Sequence, residues 1–589
     1  MEERIGKFNR WRRKYLTERQ FTLLLSVVVG LSAGLVSVII KNSVVLIEEL
    51  LTHRFIYNYE NFLYFIYPGV GMLISVLLIR FVIKKKTGEE IPEVLYAISR
   101  MRSIIPKYRM YASMITSIIV VGFGGSVGLE GPTAGTSAAI GSNIARKAHL
   151  NYNKTTLMLG CGAAGAIAGI FGAPIAAIVF ALEVIMLDLT AGSLIPLILA
   201  SVSAALTNSF IFGNATLFEV QVIDDFAYSD IFLFILLGIL SGMVSVFFIK
   251  TFWGVTLRFG KISNVYKRLG IGAVTLGTLI FLMPPLYGEG FATINKLLDG
   301  EYLSLFENSL FYEYRHITWV AILLLAGMIL LKVIATSVTV GAGGIGGIFA
   351  PSLFLGCSTG FVFAKVFNLL SFVNISERNF TLVGMAGILA GVLHAPLTAL
   401  FLIAEITGGY HLFIPLMLTS AIAFLTAKYF APHSIYNMQL AKKGDLITHN
   451  KDKAVLTLMK LDSEVERDFI PVKPNDTLGE LVKTVSKSRR NIFPVVDEEG
   501  VLKGIVLLDD IRKVMFEPEQ YKRIFVKDIM NDFPAVIDSK DNMAAVMDKF
   551  NRTGAWNLPV IEDGKYAGFL SKSKLFNAYR QILQGFTHE

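Results

Sequence analysis

The sequence predicts an all-α polytopic membrane protein with inverted internal repeats and broken re-entrant helices, followed by a cytoplasmic α/β unit. Three observations lead to this prediction. Of the 589 residues 53% are hydrophobic and only 17% charged, whereas a typical soluble protein has about 25% charged residues. Long apolar segments recur up to about residue 430, and the two halves of that region repeat each other. Beyond residue 431 the sequence is charged and mixed.

Residues 1–20 form a basic segment in front of the first span. They contain seven Lys or Arg residues, and the apolar run 21–40 behind them is long enough to cross a bilayer at roughly 20 residues. A signal peptide would have a shorter apolar region and a small-residue cleavage site. Because basic flanks stay on the cytoplasmic side, we expect the N-terminus in the cytoplasm. The protein itself is expected in the plasma or inner membrane. The net charge of +9 then requires no nucleic-acid partner.

Three stretches of the apolar region recur in the same order in its second half. Glycine-rich membrane packing can explain one such pair, but three ordered pairs indicate a duplication. Repeat one is expected at about 21–212 and repeat two at about 231–440, within a membrane domain of residues 21–440. The pairs are GLSAGLVSV (30–38) with GILSGMVSV (238–246), GGSVGLEGP (124–132) with GGIGGIFAP (343–351), and GAAGAIAGIFGAPIAAIVFALEV (162–184) with GMAGILAGVLHAPLTALFLIAEI (384–406).

The charges that flank the repeats indicate that the repeats are inverted. Repeat one follows the basic N-terminus, whereas repeat two follows the acidic segment 214–230, and its first span leads into the basic segment 250–268. Because basic loops stay in the cytoplasm, the first spans of the two repeats should point in opposite directions. Inverted repeats whose broken helices meet near the bilayer midplane are a transporter architecture.

Residues 441–589 contain a second, unrelated duplication, with copies at about 445–515 and 525–589. The segments 491–511 and 557–575 resemble each other. Each reads as a strand, a turn at Glu-Gly or Asp-Gly, a second strand and a helix. We therefore expect a cytoplasmic α/β unit with two copies of one fold.

The most informative stretch is GFGGSVGLEGPTAG, residues 122–135. It holds six glycines, Pro132 and the carboxylate Glu130 within strongly apolar sequence. An ionisable side chain at membrane depth indicates a functional site, and non-helical backbone there must be buried in protein or line a watery cavity. Pro132 suits the first turn of a helix, and a helix start attracts an anion through its unpaired N–H groups. The stretch therefore predicts an anion site at a broken helix.

The equivalent stretch 343–351 should aim a second helix start at the same point. We expect the N–H groups of Ile348 and Phe349 to bind the anion from repeat two, and Gly131 from repeat one. Glu130 aligns with Phe349, so the pair carries one internal carboxylate. Ionised, it can mimic a bound anion; protonated, it can leave the site, which makes it both a gate and a proton carrier. The alternative is a structural carboxylate at a helix start.

Other polar residues in apolar sequence receive less specific interpretations. Glu183 and Glu405 align across the repeat, which favours a symmetric structural role such as capping, with proton transfer as the alternative for Glu183. Lys332 either sets the potential of a vestibule or extends to the membrane interface. His394, whose repeat partner is Gly172, is expected to pack. Cys161 and Cys357 form no disulfide framework or metal site.

One motif suggests an enzyme instead. Residues 124–128 fit the G-x-S-x-G pattern of serine hydrolases, and with His394 they would suggest an intramembrane serine hydrolase. The pattern has little specificity in glycine-rich sequence, and the repeat partner of Ser126 is Ile345. We therefore expect a transporter and no enzyme.

These motifs resemble those of the CLC chloride channels and chloride/proton exchangers. GLEGP (128–132) is similar to the family's G-[KR]-E-G-P, and GGIFAP (346–351) to its G-x-F-x-P. TGEEIPEV (87–94) stands where the family has G-S-G-I-P-E, and SIYNMQLAKKG (434–444) resembles its last membrane helix. The resemblance implies a homodimer with one anion pathway per subunit, Glu130 as the gating glutamate and Tyr436 as the inner anion ligand.

Three departures from the family pattern bear on mechanism. Glu89 replaces the pore serine and Glu90 the next glycine; a carboxylate beside an anion repels it unless protonated or turned aside, so Glu89 is expected to make transport acid-activated and to be able to relay protons. Val184 stands where exchangers carry an inner proton-transfer glutamate; we expect chloride/proton exchange because Glu89 could relay protons instead, with a passive chloride channel as the alternative. Leu129 replaces the basic residue before the gating glutamate and should weaken anion attraction.

The 441–589 region is similar to a CBS-domain pair, which many CLC proteins carry in the cytoplasm. Nucleotide-binding members use an Asp six residues after a strand glycine. Asp510 meets this after Gly504, whereas the second copy has Lys574 after Gly568. The resemblance makes an adenine nucleotide the candidate ligand, with a dimer-stabilising domain as the alternative; transport itself should require no cofactor. The expected partners are chloride or a similar small anion, protons, the lipid bilayer and a second copy of the chain.

Overall fold

The structure is a computed structural model that describes residues 15–59, 63–85, 88, 90–185, 191–213, 218, 227–306, 309, 311–314, 317–370, 374–438, 459 and 461–587. The chain divides into two compact units, Met1–Leu446 and Ile447–Glu589. Glu89 and the expected domain boundary near residue 440 lie outside the described residues.

The first unit is helical, as the sequence predicts. Nine helices of its described part are long and apolar enough to cross a membrane. Side chains such as Leu323, which is 73% exposed, form an apolar outer surface that suits lipid. The helices of repeat one are α1 (Glu18–Tyr59), α2 (Leu63–Leu77, continued as a π-helix to Ile83), α3 (Glu90–Arg100), α4 (Ala112–Gly122), α5 (Glu130–Lys147), α6 (Tyr152–Phe171), α7 (Pro174–Glu183) and α8 (Ala191–Phe212).

The second repeat follows the same order. Its helices are α9 (Ile231–Gly260), α10 (Val265–Leu282), α11 (Phe291–Leu298), α12 (Thr318–Ala342), α13 (Phe349–Leu369), α14 (Glu377–Leu393), α15 (Pro396–Ile406) and α16 (Phe413–Phe430). The α6–α7 break occurs at Gly172 and the α14–α15 break at His394, both in the left-handed region with φ of 66° and 57°. A proline at the first position then starts α7 and α15, so a left-handed residue followed by Ala-Pro separates the two helices of each pair.

Corresponding helices pack alike in the two repeats. Helices α1, α6 and α8 pack against one another, and so do α9, α14 and α16. Helix α5 packs on α6, and α13 on α14. These last contacts are close because a Cβ on Gly162 would collide with the Ser137 carbonyl, and a Cβ on Gly360 with the Phe380 carbonyl. Small residues at such contacts let membrane helices approach closely.

The second unit contains the two predicted α/β copies. Helix α17 (Leu461–Glu464) precedes the first copy in the chain and packs on the second copy. The first copy has α18 (Leu478–Lys487), the antiparallel strands β1 (Ile492–Val496) and β2 (Leu502–Leu507), and α19 (Leu508–Ile511). The second has α20 (Val526–Ile529), the sheet β3 (Ile537–Asp538), β4 (Asn557–Glu562) and β5 (Lys565–Ser571), with α21 (Met543–Thr553) and α22 (Lys572–Thr587). Strands β4 and β5 pair antiparallel like β1 and β2, as the sequence predicts.

Candidate anion pathway

The two glycine-rich breaks contact each other directly. The Gly128 N–H donates to the Gly347 carbonyl at 2.7 Å, and the Gly347 N–H donates to the Gly128 carbonyl at 2.6 Å. These glycines are equivalent in the repeat. The reciprocal pair therefore lies on the pseudo-twofold axis that relates the two halves of the unit.

The helices that follow the breaks begin in the same way. The Thr133 hydroxyl donates to the Leu129 carbonyl and the Ser352 hydroxyl to the Ile348 carbonyl, both at 2.7 Å. These bonds hold the first turns of α5 and α13. The Gly128–Gly347 pair brings the starts of the two helices together. Each start carries N–H groups without intrahelical partners.

Glu130 is the first residue of α5 and lies between the two helix starts. It is 1% exposed. Its Oε2 accepts the Ala350 N–H of α13 at 3.4 Å, and its Oε1 has no hydrogen-bond partner among the described residues. The carboxylate thus occupies a helix start of the opposite repeat, the position that the sequence predicts for an anion.

A small cavity of about 20 Å³ adjoins this place, large enough for one water-sized species. It is lined by predicted site residues from both repeats and from the last described segment of the unit: Gly131, Ile348 and Tyr436. Phe349 instead packs between Phe171 and Phe180, at ring-centroid distances of 5.3 and 6.4 Å. We call the 20 Å³ space beside Glu130 the anion cavity.

The sequence analysis named one carboxylate of this cavity, Glu90, without giving it a role in the site. Glu90, the first residue of α3, lines the anion cavity and is 6% exposed. The Ser113 hydroxyl donates to its Oε1, and the Arg109 Nη1 lies 3.9 Å from its Oε2. The available signal was the pair Glu89-Glu90 in the TGEEIPEV motif, but the motif alone favours neither residue.

Comparison with known proteins agrees with this geometry. The family model described as "Voltage gated chloride channel" matches residues 70–428. The chain belongs to this family, the CLC proteins. CBS-domain models match residues 463–517 and 526–581, which identifies the second unit as a CBS pair.

Individual relatives include proteins named as exchangers and as channels. The H(+)/Cl(-) exchange transporter ClcA of Vibrio cholerae is 29% identical over 434 residues, 71% of this chain and 88% of the relative. The voltage-gated ClC-type chloride channel ClcB of Escherichia coli is 28% identical over 332 residues, 56% of this chain and 75% of the relative. The structure of a slow cyanobacterial Cl-/H+ antiporter superposes with a TM-score of 0.63 at 21% identity, covering 73% of this chain and 98% of that chain, which shows the fold.

In this CLC protein, Glu183 of α7 caps the start of α15, and Glu405 of α15 caps the start of α7. Glu183 accepts the Leu397 and Thr398 N–H groups of α15 at 3.1 and 2.8 Å, and the Thr398 hydroxyl at 2.7 Å. Glu405 accepts the Ile175 and Ala176 N–H groups of α7 at 3.0 and 2.8 Å. The geometry agrees with the symmetric capping role expected from the repeat; proton transfer by Glu183 stays a prediction.

The structure excludes one of the two alternatives for Lys332, and an effect on the potential of a vestibule stays a prediction. It is fully buried, so it does not extend to the membrane interface. Its Nζ donates to the Gly288 carbonyl at 3.0 Å, lies 4.8 Å from the Phe354 ring centroid and interacts with the carboxylate of Glu289. The hydrophobic run around Lys332 gave no indication of its partner, because Glu289 is 43 residues earlier in a loop.

Glu289 is a carboxylate that the sequence analysis missed. Its Oε1 accepts the Leu129 N–H at 2.9 Å, one residue before Glu130, and its charge interacts with Glu130 and Lys332. Leu129 itself is buried among apolar side chains of α1 and α4.

Ser126 and His394 show no hydrolase arrangement. A serine nucleophile needs an adjacent general base. The Ser126 hydroxyl instead donates to the Leu286 carbonyl at 2.7 Å, and a main-chain carbonyl cannot act as that base. His394 packs against the Phe424 ring at 5.7 Å between centroids, as expected for a packing residue. The geometry favours transport over hydrolysis.

In the CBS pair, Asp510 lies on α19 directly after β2. Its Oδ2 accepts the Asn531 side-chain amide at 2.6 Å, and the Asn531 backbone pairs with Ile505 of β2. In the second copy, the Lys574 N–H is 3.5 Å from the Ser571 hydroxyl. The two copies therefore differ in residue type and in contacts at this position.

Proposed function

We propose that this protein transports chloride or a similar small anion across a membrane in exchange for protons, with Glu130 as the gate. The observation that carries the proposal is the reciprocal hydrogen-bonded pair Gly128–Gly347. It brings the starts of α5 and α13 together at a cavity large enough for one small ion.

The anion is held without a buried cation. Helix starts present N–H groups and the positive end of a dipole, and the N–H groups of Gly131, Ile348 and Phe349 are the proposed donors. Tyr436, which lines the same cavity, supplies a hydroxyl from the other side. Backbone donors suit a halide because they favour negative charge without binding it as tightly as a lysine would.

Glu130 alternates with the anion. In the structure its Oε2 accepts the Ala350 N–H, so the ionised side chain occupies a donor that an anion would use. Protonation removes the charge and with it the preference for the helix start, which frees the site for an incoming anion. One proton is thereby bound each time the site opens, and this is the basis of exchange.

A passive CLC-type chloride channel is the second candidate. It is favoured by Val184, a buried apolar residue at the position where the family's exchangers have an inner proton-transfer glutamate. The relatives do not separate the two candidates, because they carry both kinds of name.

Flux from reconstituted vesicles tests the proposal. An imposed chloride gradient should drive protons against their own gradient, measured with a pH-sensitive dye and a chloride electrode. Chloride movement without coupled proton movement would replace the exchanger by the channel. Loss of both fluxes in correctly folded protein would contradict anion transport itself.

We also infer a homodimer with one pathway in each subunit, cytoplasmic termini, and an adenine nucleotide at Asp510 of the CBS pair. Light scattering of the detergent-solubilised protein measures the subunit number. Calorimetric titration with ATP, compared between the wild type and Asp510→Ala, tests the nucleotide; equal heats in both proteins would remove Asp510 from the site.

A further inference from the structure

Three cavities of the membrane unit meet at Glu90. The first is the anion cavity. The second, of about 1000 Å³, lies along α2, α9 and α12, and the third, of about 370 Å³, lies between α3 and the turn at Lys107–Met110. Among the described residues, Glu90 alone lines all three.

The two larger cavities differ in the charges that they present. The 1000 Å³ cavity is lined by Arg80 and Arg268 and by the glycines that precede α13, and positive charge suits the approach of an anion. The 370 Å³ cavity is lined by Glu93 and Arg109, which form an ion pair. A neutralised lining offers no such attraction to an anion.

Glu90 is held between these spaces by groups that suit a proton carrier. The Ser113 hydroxyl donates to one oxygen, and the Arg109 guanidinium lies 3.9 Å from the other. A nearby cation favours the ionised form of a carboxylate, whereas burial favours the neutral form. The opposition of these two effects lets Glu90 both accept and release a proton.

We propose that Glu90 carries protons between the 370 Å³ cavity and the anion cavity, on a route separate from the 1000 Å³ cavity that the anion uses. A proton from water in the 370 Å³ cavity binds a Glu90 carboxylate oxygen. It then passes through water in the anion cavity to the Glu130 Oε1, and Glu90 returns to its ionised form. This inference rests on the proposed chloride/proton exchange.

The route accounts for exchange without a carboxylate at Val184. The neighbouring Glu183 already accepts three hydrogen bonds from α15. Glu90 also couples the two ions directly, because an ionised carboxylate lining the anion cavity repels an anion and a protonated one does not. The charged or titratable groups that face Glu90 or its cavities are Glu93, Tyr96, Tyr108, Arg109, Tyr436, Arg80, Tyr266 and Arg268.

The experiment compares the wild type, Glu90→Gln, Glu90→Asp and the control Glu377→Gln in vesicles, with chloride and proton fluxes recorded together. Glu377 pairs with Lys365 at 3.0 Å and lines none of the three cavities. Glu90→Gln should lower the ratio of proton flux to chloride flux by about tenfold or more, since positioned proton transfer contributes at least that factor. Glu90→Asp should restore part of the proton flux, and Glu377→Gln should behave as wild type.

The remaining outcomes separate failure of this inference from failure of the proposed exchange. Wild-type coupling in Glu90→Gln overturns the inference and leaves the exchange intact. Absence of coupling in the wild type overturns the exchange and the inference together. Should Glu90→Gln fail to fold, Ser113→Ala removes the hydroxyl that donates to Glu90 and should shift the pH dependence of coupled proton flux; an unshifted profile overturns the inference.

Discussion

Gly128 and Gly347, equivalent residues of two inverted repeats, exchange two main-chain hydrogen bonds at 2.7 and 2.6 Å. The pair joins the two halves of the membrane unit at the point where α5 and α13 begin. The distance between the two helix starts, and hence the size of the anion cavity, depends on this contact.

Substitution of Gly347 should open the contact. A Cβ on Gly347 would lie 2.8 Å from the Gly131 nitrogen and 3.3 Å from its Cα, and neither main-chain atom can move without displacing α5. We expect Gly347→Ala to lower chloride flux and to destabilise the protein by about 1–3 kcal/mol, as overpacking does. Gly254→Ala in α9 is the matched control, because its Cβ would meet nothing within 4 Å. Equal behaviour of both variants would contradict the prediction.

Removal of the Glu130 charge should separate the two fluxes. In Glu130→Gln the side chain cannot bind a proton or mimic an anion, so coupled proton movement should disappear while chloride movement persists and loses the part of its pH dependence that Glu130 contributes. Vesicle fluxes at several pH values measure both effects. Proton coupling that survives in Glu130→Gln would exclude Glu130 as the proton carrier.

Glu183 and Glu405 should contribute similarly to the stability of the protein, and neither should be needed for proton coupling. Each accepts two N–H groups at the start of a facing helix, so Glu183→Ala and Glu405→Ala should each destabilise by about 0.5–2 kcal/mol, the usual effect of a lost cap. Thermal unfolding in detergent measures this. A coupling defect in Glu183→Ala but not in Glu405→Ala would instead support the proton-transfer alternative for Glu183.

Lys332 should stabilise the protein through its interaction with Glu289. Lys332 and Glu289 interact electrostatically inside the protein. Removal of the positive charge leaves the buried Glu289 carboxylate uncompensated, so Lys332→Met should destabilise the protein by about 1–3 kcal/mol and lower its unfolding temperature. The double variant Lys332→Met/Glu289→Gln should recover much of the loss, because the unpaired carboxylate is then absent. A double variant as unstable as the single one would show that Lys332 acts through the Leu286 and Gly288 carbonyls instead.

The acid activation expected from Glu89 remains a separate prediction. Comparison of the pH profiles of chloride flux in Glu89→Ser and Glu90→Ser distinguishes the two neighbouring carboxylates. An unchanged profile in Glu89→Ser would refute its role and would be consistent with the position of Glu90 on the anion cavity.

Several parts of the site could be predicted from the sequence because few alternatives satisfy the same constraints. Glycines, a proline and Glu130 within apolar sequence must be buried in protein or face water, since hydrocarbon provides no hydrogen-bond partners. The internal repeat then predicts a second helix start opposite the first. The helix breaks at Gly172 and His394 and the strand pairs of the CBS unit follow from local residue types in the same way.

The partners of buried charges were decided by the tertiary structure alone. The TGEEIPEV motif contains two adjacent carboxylates, and only the packing of α3 against Ser113 and Arg109 places Glu90 on the anion cavity. Lys332 and Glu289 are far apart in the chain and belong to different elements, so no local pattern links them. Periodicity and composition report which residues leave water, whereas the identity of their partners depends on how distant helices pack, and that information is not local.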